Sequence, residues 1–93
     1  MFCGMATTRV KPGNEEAIIA AAQDHARALG EQPGCRATYV LLERGASAVV
    51  SMSVFETESE FLAAAEKTRP VIASHHLERL WEGPPDFHLF DVR

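Results

Sequence analysis

The sequence predicts one α+β domain whose elements run strand, helix, strand, strand, helix, strand. Three observations predict it. Four runs rich in β-branched and aromatic residues are set apart by turns rich in Gly and Pro. Two stretches between them carry apolar residues at helical spacing, and one opens with a capping box. The length, 93 residues, suits a single domain over residues 1–93.

The first strand is predicted over Phe2 to Val10 and ends at Lys11-Pro12-Gly13, a turn signal. Gly13 or Asn14 then caps a helix, with Glu15 and Glu16 in the first turn, where the helix dipole favours acids. Ile18, Ala22, His25 and Leu29, flanked by Ile19 and Ala26, form one apolar stripe along it. Gly30 stands where a helix ends. Pro33-Gly34 opens a second strand over about Arg36 to Glu43, and Arg44-Gly45-Ala46-Ser47 makes a short hairpin connection. The third strand, about Ala48 to Phe55, alternates Val with Ser.

Thr57-Glu58-Ser59-Glu60 is a capping box, in which the Thr57 hydroxyl bonds to a backbone N–H one turn on and Glu60 reaches back. The second helix starts there and is expected to turn Phe61, Leu62 and Ala65 inward. Pro70 lacks an N–H and crowds the preceding turn, so it is expected to break or restart the helix, with a further helical piece from about Pro70 to Leu80. Gly83-Pro84-Pro85 forbids helix and resets the chain for a last strand, Phe87 to Val92.

The βαββαβ order is the ferredoxin-like plan, a four-stranded antiparallel sheet with both helices on one side. Alternation along the strands tells which residues share a face. Val50, Met52 and Val54 point one way, and Val49, Ser51, Ser53 and Phe55 the other; Tyr39 and Leu41 oppose Val40 and Leu42. Both faces therefore carry apolar side chains, whereas a solvated face would be polar. The helix-free face is expected to pack on its counterpart in a second copy, giving a homodimer. A core this thin also needs outside support. Disulfides do not provide it, since Cys3 and Cys35 are the only cysteines and show no paired or zinc-type spacing. They read as small packing residues rather than nucleophiles.

Composition narrows the partners. The net charge is −4, with acids and bases interspersed. Nucleic acid and an anionic membrane surface would each need a basic footprint, and neither is expected as a partner. No apolar stretch reaches membrane-spanning length. Met1-Phe2-Cys3-Gly4-Met5-Ala6 lacks a basic start and a long apolar run, so it does not read as a signal peptide, and a cytoplasmic location is expected.

The motifs also carry a resemblance. Arg9-Val10-Lys11-Pro12-Gly13-Asn14-Glu15-Glu16, Pro33-Gly34-Cys35, Phe55-Glu56-Thr57-Glu58-Ser59-Glu60-Phe61 and Ile72-Ala73-Ser74-His75-His76 follow in that order along nearly the whole chain. Together they resemble the antibiotic biosynthesis monooxygenase domain family. The resemblance implies a dimeric α/β barrel, two ferredoxin-like units joined sheet to sheet, with the useful space between helices and sheet. It implies cofactor-free oxidation of a quinol, an anthrone or a similar small aromatic or apolar ligand with O2, or alternatively haem binding and breakdown. A third reading is a non-catalytic dimer that binds a small molecule.

Candidate site residues follow. The segment around His75 resembles the one that supplies the proximal histidine in haem-degrading members, so His75 is the metal-ligating candidate if haem binds. Two departures weigh against haem breakdown: the polar first-strand residue of those members falls at Ala6, and their Trp falls at Phe55. Ala6 cannot donate a hydrogen bond, and Phe55 lacks an indole N–H. Quinol-type members carry a histidine within the second helix, but Leu62-Ala63-Ala64-Ala65-Glu66 has none.

A cofactor-free oxygenase still needs a base and a dry pocket. The candidates are His25, His75 and Tyr39, with His76 and Arg36 beside them; packing explains Tyr39 and surface charge explains Arg36 more simply. Gly4, Ala6 and Thr8 share a face of the first strand, as Ser51 and Ser53 do on the third; if these faces look toward the helices, small side chains line the space there and either leave a cavity or let the Ala-rich helices sit close. Ala6, Thr8, Ser53, Phe55, Phe61, Ile72 and Trp81 are the expected substrate contacts, Trp81 serving otherwise as a dimer anchor. Adjacent helical residues such as His75 and His76 point about 100° apart. With no other ligand spacing, no metal site apart from haem is expected.

Overall fold

A computed structural model describes residues 1–45 and 47–93 of the chain. The elements run β1 (Phe2–Arg9), α1 (Glu15–Gly30), β2 (Cys35–Leu42), β3 (Ala48–Phe55), α2 (Glu58–Ala73), a short 3-10 helix (Leu77–Arg79) and β4 (Asp86–Asp91). The strands form one antiparallel sheet in the order β2-β3-β1-β4. This is the expected ferredoxin-like arrangement. Every expected strand appears within a residue or two of its predicted ends. The predicted hairpin connection includes Ala46, which lies outside the described residues.

The alternation in the sequence becomes two distinct sheet faces. Phe2, Gly4, Ala6 and Thr8 pair across to Phe55, Ser53, Ser51 and Val49 and face the helices. Cys3, Met5 and Thr7 lie opposite Val54, Met52 and Val50 on the other face. Tyr39 and Leu41 of β2 share that second face through Met52 and Val50, and Phe90 of β4 joins it through Cys3. No helix covers it, and Tyr39 is 52% exposed.

Two core clusters hold the helices to the sheet. Val10, Ile18, Ala22, Val49 and Leu80 pack at one end, with Trp81 against them. Leu29, Phe55 and Ala64 pack at the other, with Phe61 against them. Between the clusters the central strands β1 and β3 offer only Ala6, Ser51 and their small neighbours. Phe61 lies directly over Gly4, where an added Cβ would fall 2.3 Å from its ring. The glycine thus lets an aromatic ring rest on bare backbone.

Several local expectations are revised. α1 includes Gly30 as its last residue, and the left-handed turn falls at Gly34, with φ of +84°. Asn14 occupies the N-cap without a side-chain hydrogen bond. Thr57 caps α2 by accepting from the Glu60 N–H at 3.2 Å, while its hydroxyl donates to the Glu60 carboxylate at 2.9 Å. Pro70 neither breaks nor restarts α2, which runs through to Ala73. Proline removes one intrahelical hydrogen bond, and the burial of the helix at Ala64 and Thr68 outweighs that loss. The predicted helical piece to Leu80 is instead a turn. His76 adopts a left-handed φ of +50° there, before the short 3-10 helix. Leu62 points outward, and Ala64 and Thr68 take the buried positions.

Candidate functional site

The gap between the two core clusters is a cavity with two lobes, of about 140 Å³ and about 300 Å³. Ala6, Ala22, His25, Ser51 and Phe87 line both lobes, so the two adjoin at these residues. Small residues on both sides create it. Ala22, Ala26 and Ala65 come from the helices, and Gly4, Ala6 and the serines from the sheet. Phe61 and Leu29 wall one lobe, and Ile72, Leu77 and Trp81 wall the other. Phe87 of β4 stands at the mouth, 73% exposed.

The lining is mostly apolar, with a few polar groups on opposite walls. Ser53 and Thr8 are buried, with Ser51 between them, and all three line the cavity from the sheet. Their hydroxyls accept and donate no hydrogen bond among the described residues. No sealed side-chain nitrogen or oxygen in the described chain is left without a partner. The three hydroxyls therefore face reachable space.

Opposite them, His25 projects from α1. Its Nε2 lies 2.9 Å from the Thr68 hydroxyl on α2, and burial lowers its pKa below the ordinary value of 6.5. The ring is thus neutral at neutral pH, the state in which an imidazole accepts a proton.

The other expected site residues fall in different places. Ala6, Thr8, Ser53, Phe61, Ile72 and Trp81 all line the cavity. Phe55 lies beneath it at 0% exposure, edge-on to Phe61 with ring centroids 5.7 Å apart. Tyr39 is on the far side of the sheet. Arg36 makes an exposed ion pair with Glu56. His75 follows α2 and lines neither lobe; its Nε2 lies 3.0 Å from Asp24 Oδ2. The cavity residues do not fit a haem iron. The candidate ligand ring is outside, its Nε2 is engaged by a carboxylate, and Ala6 and Phe55 offer no hydrogen bond. Among the described residues no group of three His, Cys, Asp or Glu side chains could hold a metal ion. Both thiols have pKa values raised by burial; at Cys35 a backbone hydrogen bond from Ala37 partly opposes this.

Sequence reasoning missed Thr68 and Phe87. Thr68 reads as an ordinary helix threonine, and nothing in the sequence signals a partner 43 positions away. Phe87 reads as one more strand aromatic, and only its pairing opposite Ala6 brings it to the cavity mouth. Among the described residues no helix is long and apolar enough to cross a membrane.

Residues 1–75 match the family described as antibiotic biosynthesis monooxygenase. No curated protein is similar enough in sequence to count as a match. Solved structures share the fold at low identity. A protein of Nitrosomonas europaea, provisionally described as an antibiotic biosynthesis monooxygenase, superposes with a TM-score of 0.87 at 15% identity, covering 99% of this chain and 98% of its own. SnoaB, a cofactor-independent oxygenase of Streptomyces nogalater, gives a TM-score of 0.81 at 21% identity, covering 99% of this chain and 92% of its own. A Chloroflexus aurantiacus protein with the same provisional description gives 0.74 at 20% identity, covering 96% and 89%.

Proposed function

The chain belongs to the antibiotic biosynthesis monooxygenase family, and from that premise we propose that it is a cofactor-independent monooxygenase with His25 as its base. The observation that carries this reading is the placement of a neutral, half-buried imidazole in the wall shared by both lobes, facing a floor of unpartnered hydroxyls. The substrate is a small, mostly apolar aromatic molecule of the quinol or anthrone kind. Its ring packs against the apolar walls, and its oxygens take hydrogen bonds from Thr8, Ser51 and Ser53. SnoaB, with the same fold, acts without a cofactor.

The chemistry requires little of the protein. His25 removes a proton from an acidic C–H or O–H, and the resulting anion supplies electrons to O2. For an anthrone, the CH2 becomes C=O, one oxygen atom enters the carbonyl and the other leaves as water. All the electrons come from the substrate. An apolar lining keeps the anion poorly hydrated. Incubating the purified protein with anthrone should consume one O2 per carbonyl formed, measured with an oxygen electrode and by product chromatography. A rate equal to that without protein, across quinol and anthrone substrates, sinks the reading.

We further propose that the helix-free face pairs two copies. Tyr39, Leu41, Met52 and Phe90 give it an apolar surface that the helices leave bare. The wild type is expected to run at twice the monomer mass by light scattering. Leu41→Glu should shift it to the monomer, because two opposed carboxylates would be buried at the contact. A monomeric wild type rules out the pairing.

A further inference from the structure

A threonine hydroxyl carries one proton. Thr68 Oγ1 donates it to the Ala64 carbonyl one turn back, at 2.9 Å. A carbonyl has no proton to return, so the direction of that bond is fixed. The same Oγ1 lies 2.9 Å from Nε2 of His25. With its proton committed, Oγ1 presents only a lone pair to the ring, and Nε2 must carry the hydrogen. A neutral imidazole with its hydrogen on Nε2 has a bare lone pair on Nδ1. Nδ1 has no hydrogen-bond partner among the described residues, and it is not among any sealed, unpartnered atoms. It therefore opens on reachable space, and His25 lines both lobes.

We propose that Thr68 is a positioning residue: it fixes His25 in the Nε2–H tautomer and makes Nδ1 the proton-accepting atom of the cavity. Thr68 lines neither lobe and is 2% exposed, so it acts only through the ring. The bond also ties α1 to α2 and restrains the imidazole plane. Two neutral tautomers of a free histidine interconvert readily; here the acceptor geometry of one hydroxyl selects between them. The assignment of Nδ1 as the reacting atom rests on the reading of His25 as the base, but the tautomer itself does not.

The test separates the two. Long-range ¹H–¹⁵N correlation spectra at pH 7.5 report which ring nitrogen carries the hydrogen. The wild type is expected to show His25 as the Nε2–H form. Thr68→Val keeps the shape of the side chain but removes the acceptor, and should give a mixture with substantial Nδ1–H. Thr68→Ser should restore the wild-type spectrum. In the oxygen assay with anthrone, Thr68→Val should lower kcat about tenfold with KM little changed, the scale of one lost hydrogen bond, and Thr68→Ser should recover it. A wild-type ring protonated on Nδ1, or a Thr68→Val protein that keeps the pure Nε2–H form, overturns the proposal. A tautomer shift as expected, in a protein that turns over no substrate, upholds Thr68 as the positioning residue and removes His25 as the base.

Discussion

His25→Gln is expected to lower kcat for anthrone oxidation by about 10²–10⁴-fold, the usual contribution of a positioned base. Glutamine reaches as far as histidine and its amide donates to the Thr68 hydroxyl, so the helices stay joined. It has no basic nitrogen, so the loss is chemical rather than structural. A melting temperature close to that of the wild type, with kcat collapsed, supports this reading; a kcat within about threefold of the wild type removes His25 from the chemistry.

The pH dependence is fixed in sign by the same residue. Burial lowers the His25 pKa below 6.5 in the folded chain. Between the folded value and 6.5 the unfolded chain binds more protons, so this group makes stability rise with pH across that window. The contribution is fully present above 6.5 and is lost as pH falls through the window. The acid limb of kcat/KM should likewise lie below 6.5, because the free base persists into mildly acid solution. His25→Gln should flatten the His25 part of both profiles.

Phe55→Ala is expected to be the most destabilising single change, at about 3–5 kcal/mol. The ring is fully buried between Leu29, Ala64 and Phe61, and its removal leaves a void that a β-strand and a helix cannot close. Domains of this size hold only about 5–15 kcal/mol in total, so the melting temperature should fall by well over about 10 °C. Phe55→Leu, nearer in volume, should cost less than about 2 kcal/mol. Thermal unfolding by circular dichroism measures both. The alternative role, direct contact with a ligand, would raise KM without moving the melting temperature, and that outcome would return Phe55 to the cavity lining.

Phe55 shows what kind of information each source holds. Its aromatic character and the β3 residues that share its face were legible in the chain, because alternation is a property of the strand itself. That Phe61 would lie between it and the cavity depended on Gly4, whose missing side chain leaves room for the ring. The family resemblance was legible for a similar reason, since its motifs are turn and cap signals whose physics is local. Pro70 misled because its local cost is real while the burial that outweighs it, at Thr68 and at other positions on α2, is tertiary.

His25, His75 and Tyr39 were the candidate bases, with His76 and Arg36 beside them, and packing was already the simpler explanation of Tyr39. Tyr39 fell on the helix-free face, since strand alternation separates faces without saying which one the helices cover. His75 fell outside the cavity because α2 ends two residues before it and the turn directs it to Asp24. The sequence alone determined the element order, the two apolar sheet faces and the small residues that either leave a cavity between helices and sheet or let the two pack close. Only the tertiary structure decided that His25 faces that cavity with a fixed hydrogen bond behind it. The reason is that a base is defined by what lies around it, and Thr68, which bonds His25, and Ser51, which shares its cavity, come from other elements of the fold.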